Sequence, residues 1–366
     1  MLPLRNIFRR KIRTLITILG VAIGISLFTT AISFSQGFQK QIQEIIKNYQ
    51  VDITVQSKGS PTPIHSRITW SDYQKLKNIE EIENISSMII GTIRTKWNPY
   101  FMVLGVSNDI LNYRIGLLKG RKMYPDKKEA IIGQVAAEMF GYDINSQVEL
   151  GEDEIYTITG IYSTSIRIID GALCLNYEDI RRMLRFNDYA NMLFIRLKEN
   201  ADPATVIQKI NKNYPELSAA KSSDFTGQMR LNKTIKAFVW AITIISLFTS
   251  IIIVSNTLVM SITERIREIG ILMAIGWSRF MIIKMIIHEA IIICFIGGIT
   301  GNIIAIIQLW MLNHINTIGP GWVPVSVSYE IFIKSIVFSL IIGILSAISP
   351  AAIASKLLPA EALRYE

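Results

Sequence analysis

Acidic and basic side chains gather in one short island of this chain. From Ser261 to Ser278 it reads Ser-Ile-Thr-Glu-Arg-Ile-Arg-Glu-Ile-Gly-Ile-Leu-Met-Ala-Ile-Gly-Trp-Ser. Glu264, Arg265, Arg267 and Glu268 stand close together, a pattern suited to ion pairing that offers neither a nucleophile nor a metal ligand. The other groups that could do chemistry are scattered. His65, His288 and His314 are far apart, and His288-Glu289 opens a zinc-protease motif whose second histidine position is filled by Ile292, so no metal site is expected. No Gly-x-x-x-x-Gly-Lys-Ser/Thr occurs to cradle nucleotide phosphates, nor any Gly-x-Ser-x-Gly nucleophile turn. Cys174 and Cys294 provide no disulfide framework. Glu289, about one and a half turns past Lys284 in an apolar run, is the one ionisable group that invites a functional reading by its setting. A carboxylate near a membrane edge can equally be satisfied by water, by His288 or by a neighbouring helix. The expectation is a chain with no intrinsic enzyme activity, metal or cofactor.

What positions the island is its flanks. Ala237 to Met260 precede it and Met281 to Leu309 follow it, each long enough for the ~20 residues that cross a bilayer core as a helix. Two more apolar runs, Leu15 to Phe34 and about Ile331 to Ile348, lie nearer the termini. With half its residues hydrophobic, the chain reads as an integral membrane protein, and a purely soluble one is excluded. The net charge of +9 could suggest nucleic acid, but many of the basic residues flank spans, so the bilayer and not nucleic acid is the expected partner. A cleaved signal peptide ending near Ala31-Ile32-Ser33 is the alternative for the first run. The run is longer than the usual ~7 to 15 residue core of such peptides, which favours an uncleaved span.

Charge asymmetry sets the expected topology. Arg5, Arg9, Arg10, Lys11 and Arg13 precede the first run, Arg265, Arg267, Arg279 and Lys284 surround the island, and Lys356 and Arg364 lie in the tail. No Lys or Arg occurs between Met285 and Ile333. The positive-inside bias then places both termini and the island in the cytoplasm. The expected division is a cytoplasmic N-terminus (1–14), spans at 15–34, 237–260, 281–309 and 331–348, an extracytoplasmic insert (35–236), a cytoplasmic coupling segment (261–280), an external loop (310–330) and a cytoplasmic tail (349–366). Gly20 and Gly24 in the first span, and Gly297 and Gly301 in the third, have the small-xxx-small spacing that lets helices approach closely. Within the island Ile262, Ile266, Ile269 and Met273 recur at helical spacing, which predicts a short amphipathic helix.

After the first span, Phe34, Phe38, Ile42, Ile45 and Tyr49 keep helical spacing among Gln36, Gln39, Lys40, Gln41, Gln43, Glu44 and Lys47. The helix is expected to run on beyond the membrane and to pack against a second stalk that starts near Gln228 and descends through Leu231, Ile235 and Phe238. The insert carries strand signals at Val51 to Val55, Ile85 to Ile90, Thr92 to Trp97, Tyr100 to Val106, Ala130 to Ile132, Gln147 to Leu150, Ile155 to Ile161, Ala172 to Leu175 and Met192 to Leu197. Helices are expected from Thr69 through Lys77, at Tyr177 to Leu184 and at Pro203 to Asn213. Strands and helices mix without strict alternation, the mark of an α+β domain. The fold class is therefore a membrane protein of four transmembrane α-helices with a large α+β extracytoplasmic domain inserted between helices 1 and 2.

These residues resemble the permease subunits of type VII ABC transporters, the MacB, LolC, LolE and FtsX-like family. Glu264-Arg265-Ile266-Arg267-Glu268-Ile269-Gly270 followed by Ala274-Ile275-Gly276 is similar to the family signature "ER-rEIG---A-G". The ending Pro359-Ala360-Glu361-Ala362-Leu363-Arg364-Tyr365-Glu366 resembles "P-eaLRyE". In the insert, Gly120-Arg121, Ile131-Ile132-Gly133-Gln134-Val135-Ala136 and Ile158-Thr159-Gly160-Ile161 resemble elements of the MacB-like periplasmic core domain. MacB itself carries a fused ATPase, whereas this sequence begins at the first span.

The resemblance implies an inner-membrane permease that dimerises with a second or homologous permease and binds two copies of a separate ABC ATPase. ATP and Mg would be bound there, not in this chain. It implies that Glu264, Arg265, Arg267, Glu268, Gly270, Ala274 and Gly276 couple to that ATPase. It further implies mechanotransmission, in which ATPase closure moves the external domain to drive export or release of a peptide, lipoprotein or drug, with an adaptor or substrate protein outside as a possible further partner. The alternative is an FtsX-like regulator that activates a cell-wall hydrolase. A secondary transporter is disfavoured because buried ionisable residues and broken paired spans are nearly absent.

Overall fold

The computed structural model describes residues 11–49, 51–96, 98–107, 116–124, 127–151, 154–164, 166–225, 229–314 and 326–356. The expectations for Arg5, Arg9, Arg10, Trp97, Gln228 and the ending from Pro359 to Glu366 lie outside these residues, as do the side chains of Ile45 and Tyr49. In chain order, helix α1 (Lys11–Tyr49) leads to strand β1 (Ile53–Ser57), helix α2 (Trp70–Lys77) and strands β2 (Ile82–Ile93), β3 (Phe101–Val106), β4 (Gly116–Gly120) and β5 (Glu129–Gly133). Helix α3 (Gln134–Phe140), strands β6 (Gln147–Leu150) and β7 (Glu154–Ser163), the single turn α4 (Arg167–Asp170) and β8 (Leu173–Leu175) come next. Helix α5 (Tyr177–Met183), β9 (Met192–Leu197), α6 (Pro203–Asn213) and β10 (Leu217–Lys221) complete the insert. Helices α7 (Arg230–Thr263), α8 (Ile266–Ala274), α9 (Arg279–His314) and α10 (Tyr329–Ser355) follow. Two compact units result, one of Met1–Phe34, Ala237–Leu312 and Val327–Glu366, the other of Ser35–Lys236 and Asn313–Ser326.

In the first unit, α1, α7, α9 and α10 each hold a stretch long and apolar enough to cross a membrane. Their shared core is built from Val21, Ile25, Val254, Ile286, Cys294 and Ile342, while Trp240, Ile245 and Ile303 point outward, as expected where the surroundings are lipid. Asn302 of α9 is buried and joins three helices. Its Oδ1 accepts from Thr29 Oγ1 of α1 at 3.1 Å and from Ser335 Oγ of α10 at 2.7 Å. In hydrocarbon such polar groups must find each other, because no water is there to replace a lost partner. The fourth helix continues through Pro350 to Ser355, past the expected end of its span at Ile348. A proline removes one backbone donor, and neighbouring helices tolerate this inside a membrane bundle.

The second unit is organised by a 10-stranded sheet in the order β10-β1-β9-β2-β3-β8-β5-β7-β4, with β6 pairing β7 off this path. Side chains alternate across it. Along β9, Met192 and Phe194 join one cluster while Leu193, Ile195 and Leu197 join another. One face is a continuous core that includes Met88, Leu104, Ile131, Cys174 and Phe194, with Phe38 and Ile42 of α1 packed against it. The other face carries two cores. Helices α3 and α5 cover one through Ala136, Ala137 and Ile180, and α2 and α6 cover the second through Leu76, Val206 and Ile210.

Local chemistry explains most of the boundaries. Thr69 caps α2 by accepting from the Asp72 N–H at 3.1 Å, and Asp202 caps α6, whose first residue is Pro203, by accepting from the Thr205 N–H at 3.0 Å. Two expectations are corrected. The separate strands at Ile85 to Ile90 and from Thr92 are one strand, β2, running through Gly91; the glycine sits under Leu184, where a Cβ would collide with that side chain. Of the stalk stripe, Phe38 and Ile42 pack against the sheet core. Gln41, expected on the polar side of the stalk, is buried and its Oε1 accepts from the Ile168 N–H at 3.1 Å. Strands β4 and β10 and helix α3 are additions to the expected set, each too short to show a clear period.

The Gly-Arg and Thr-Gly-Ile elements face each other, since Gly120 pairs with Gly160 across β4 and β7. Gly120 has φ of +78° and lies against the Thr159 carbonyl oxygen, so a Cβ is excluded by conformation and by space. Arg121 then forks onto Glu129, with Nη1 and Nη2 each donating at 2.7 Å, and the Tyr124 N–H donates to the same carboxylate at 3.0 Å. The Arg121 guanidinium holds the Glu129 carboxyl down to about 2, well under its ordinary value near ~4.3. A depressed carboxylate stabilises the fold above its unfolded pKa and loses that contribution as pH falls towards the folded value. The thermal midpoint of the purified protein is expected to drop between pH ~5 and pH ~2, and Glu129→Gln, less stable at neutral pH, should show a shallower drop so that the two converge at low pH. Parallel curves would mean that this ion pair contributes nothing.

Candidate coupling site

The island is not one helix. α7 ends at Thr263, Glu264 and Arg265 form a turn, and α8 begins at Ile266. Arg265 has φ −121° and ψ 17°, outside helical geometry. The helical spacing of Ile262 with Ile266, Ile269 and Met273 therefore crosses a break. Ile262 belongs to the end of the span and Ile269 to α8, yet both are buried in the same core. α8 ends at Ala274, and Gly276, two residues on, has a φ of +103° that favours glycine although the space around it is open.

The charges of the turn are engaged within the protein. Arg13, near the start of α1, donates through Nη1 and Nη2 to the two carboxylate oxygens of Glu264 at 2.7 and 2.8 Å. Arg265 contacts Glu268 of α8 through Nε at 3.1 Å and Glu289 of α9 through Nη1 at 3.5 Å. Ser261 Oγ lies 3.5 Å from the other Glu289 oxygen. Glu264 and Arg265, expected to couple to an ATPase, thus each have a partner within this chain as well. The side chains of Arg265 and Glu289 are only 16% and 8% exposed, which makes mutual pairing the means by which each is tolerated there. Arg13 was legible only as one of several flanking basic residues, and nothing local in the sequence marks it as the partner of Glu264.

Of the residues expected to couple to an ATPase, Glu264, Arg267, Glu268, Ala274 and Gly276 are exposed, Arg265 is half-buried and Gly270 is buried. Ile271, Ile275 and Phe280 are 46%, 70% and 72% exposed, so apolar side chains accompany Arg267 on the accessible part of the segment. No group of His, Cys, Asp and Glu able to hold a metal occurs among the described residues.

The four spaced glycines lie at helix contacts of α1. A Cβ on Gly20 would come within 3.0 Å of Ile253 Cδ1, and one on Gly24 within 2.6 Å of Ser250 Oγ, both on α7. In turn, a Cβ on Gly297 of α9 would come within 2.7 Å of Val21 Cγ1, and one on Gly301 within 2.8 Å of the Ala22 carbonyl oxygen and of Ile25 Cβ. α1 is thus seated against α7 through its own glycines and against α9 through that helix's glycines. One turn above Arg13, Thr17 and Thr257 share a hydrogen bond of 2.8 Å between α1 and α7.

Four apolar helices, a sheet domain inserted after the first and a charged segment between the second and third define a multi-pass membrane permease. The chain belongs to the family of ABC transporter permeases with a MacB-like periplasmic core domain: residues 14–213 match the model of that domain, and residues 240–359 match the FtsX-like permease C-terminal domain. It is 25% identical to an uncharacterized ABC transporter permease of Methanocaldococcus jannaschii, over 99% of this chain and 96% of that protein. It is 27% identical to the lipoprotein-releasing system transmembrane protein LolC of Buchnera aphidicola, over 98% and 94%. With the macrolide export ATP-binding/permease protein MacB of Acinetobacter baylyi the identity is 28%, over 97% of this chain but 58% of that longer protein. The crystal structure of the periplasmic region of MacB from Actinobacillus actinomycetemcomitans aligns at a TM-score of 0.39 and 11% identity, covering 51% of this chain and 97% of that one.

The glycine contacts divide by what a methyl group would meet. At Gly301 it meets backbone, so Gly301→Ala must push α1 and α9 apart, an overpacking cost of about 1 to 3 kcal/mol. At Gly20 it meets the tip of a flexible isoleucine, and the ~1 kcal/mol helix preference of alanine over glycine offsets the adjustment. The thermal midpoint of the detergent-solubilised protein is expected to fall for Gly301→Ala and to stay level or rise for Gly20→Ala. Equal effects would remove the distinction between the two contacts.

Proposed function

We propose that this chain is the permease of a mechanotransmitting ABC transporter of the inner membrane, with both termini and α8 in the cytoplasm. A separate ABC ATPase, present as two copies and binding ATP and Mg, docks on α8, and two permeases pair so that ATPase closure moves the inserted domains outside. What supports this reading is the 39-residue helix α1, ~58 Å long at ~1.5 Å per residue. It contains a membrane span at one end and at the other an anchor of Phe38, Gln41 and Ile42 in the sheet unit. A stiff helix shared by a span and a folded domain can pass displacement from one to the other. The cargo is proposed to be a drug, peptide or lipoprotein, in keeping with the relatives named for macrolide export and lipoprotein release.

Docking and orientation are tested together. Arg267→Glu combined with Ile275→Asp alters the exposed part of the segment and leaves the internal ion pairs alone. Affinity for the ATPase that co-purifies with the tagged permease is expected to fall at least tenfold, with the permease still folded in the membrane. Unchanged affinity would place the docking surface elsewhere and leave the cytoplasmic assignment of α8 without support.

Stiffness is tested in the stalk. Lys40 and Gln43 are exposed on α1, so Lys40→Gly with Gln43→Gly removes about 2 kcal/mol of helical preference without disturbing the anchor at Gln41. The variant is expected to assemble and hydrolyse ATP but to lose transport. Transport that continues at the normal rate would show that α1 is a tether and not a lever.

A further inference from the structure

We propose that Glu264 and Arg265 form a clamped hinge, and that the Arg13–Glu264 ion pair is the link by which displacement of α8 reaches α1. This rests on the force-transmitting reading above and names its route. The two residues interrupt the helical path between α7 and α8, so α8 need not move as a rigid extension of α7. Each is bound to a different neighbouring helix. Glu264 is gripped by Arg13 of α1 through two parallel hydrogen bonds of 2.7 and 2.8 Å, a fork that fixes orientation as well as distance. Arg265 reaches Glu289 of α9 through a single contact of 3.5 Å, which constrains less.

The stiffer of the two attachments thus leads to α1, the helix that continues into the inserted domain. The Arg13 and Glu264 side chains are 24% and 23% exposed, and the two parallel bonds, not burial, hold the pair in place. A cavity of about 120 Å³, lined by Arg13, Thr257, Ser261, Glu264, Arg265 and Glu289 among others, lies beside the turn. The turn that joins α7 to α8 is thus tied across to the first and third helices, and Arg265 also pairs with Glu268 of α8. A push on α8 that moves this turn would therefore pull on Arg13.

Arg13 is a positioning residue, and its test needs a readout beyond stability. The full permease is isolated from its own membranes with its bound ATPase, and hydrogen exchange of the sheet domain is compared with and without MgATP and vanadate. The wild-type complex is expected to show a nucleotide-dependent change in exchange. Arg13→Gln should hydrolyse ATP within about twofold of wild type while that change shrinks at least fivefold, and the exchanged pair Arg13→Glu with Glu264→Arg should recover at least half of it. Lys334→Gln, which breaks the exposed pair Lys334–Glu330, should leave the response intact. If the exchanged pair does not assemble, Arg13→Lys, which keeps the charge but not the fork, is expected to give an intermediate response. A full response in Arg13→Gln, an assembled exchanged pair without recovery, or a full or absent response in Arg13→Lys overturns the link. A wild-type complex that itself shows no nucleotide-dependent change would instead refute the force-transmitting reading.

Discussion

Helices in a bilayer cannot be driven together by hiding apolar surface, because lipid is as apolar as the side chains. They are held by close packing and by polar groups that have no other partner, and α1 is where this protein concentrates both. α7 approaches α1 at Gly20 and Gly24, and α9 receives it at Gly297 and Gly301. Thr17, Thr29 and Arg13 carry hydrogen bonds or ion pairs to α7, α9 and the turn before α8. Each is modest alone. Together they tie α1 to α7, to α9 and to the turn before α8.

The inserted domain meets the same helix through a different physics. Water surrounds it, so apolar burial does the holding, and Phe38 and Ile42 join the continuous core on one face of the sheet. The opposite face is divided between two helix pairs, but β2, 12 residues long, pairs with β9 on one side and β3 on the other, tying the halves into one sheet. The Arg121–Glu129 fork and the Gly120–Gly160 pairing then fix the far edge around β4 and β7.

The charged island carries part of its charge in pairs within the chain. Its signs and spacing are those of a docking segment, yet Glu264 and Arg265 spend their charge on α1 and α9. Arg267 and the exposed Ile271, Ile275 and Phe280 are left as the accessible face. Burying unpaired charge beside a membrane is costly, so a turn at the bilayer edge that carries adjacent acid and base finds internal partners first.

The four apolar runs, the α+β insert, most of its strands and the family itself were legible from the sequence, because spans, amphipathic periods, caps and motifs are local. Thr69 and Asp202 announce their helices within three residues. The break at Glu264–Arg265, the burial of Gln41 and the partner of Arg13 were not legible. Arg13 and Glu264 are separated by 251 positions, and a charge in a sequence states its sign but not its partner. The same glycine spacing that marked α1 and α9 as close-packing helices could not say which neighbour each would touch. Composition decides that these helices are apolar enough to enter a membrane; side-chain geometry at their contacts decides which of them touch.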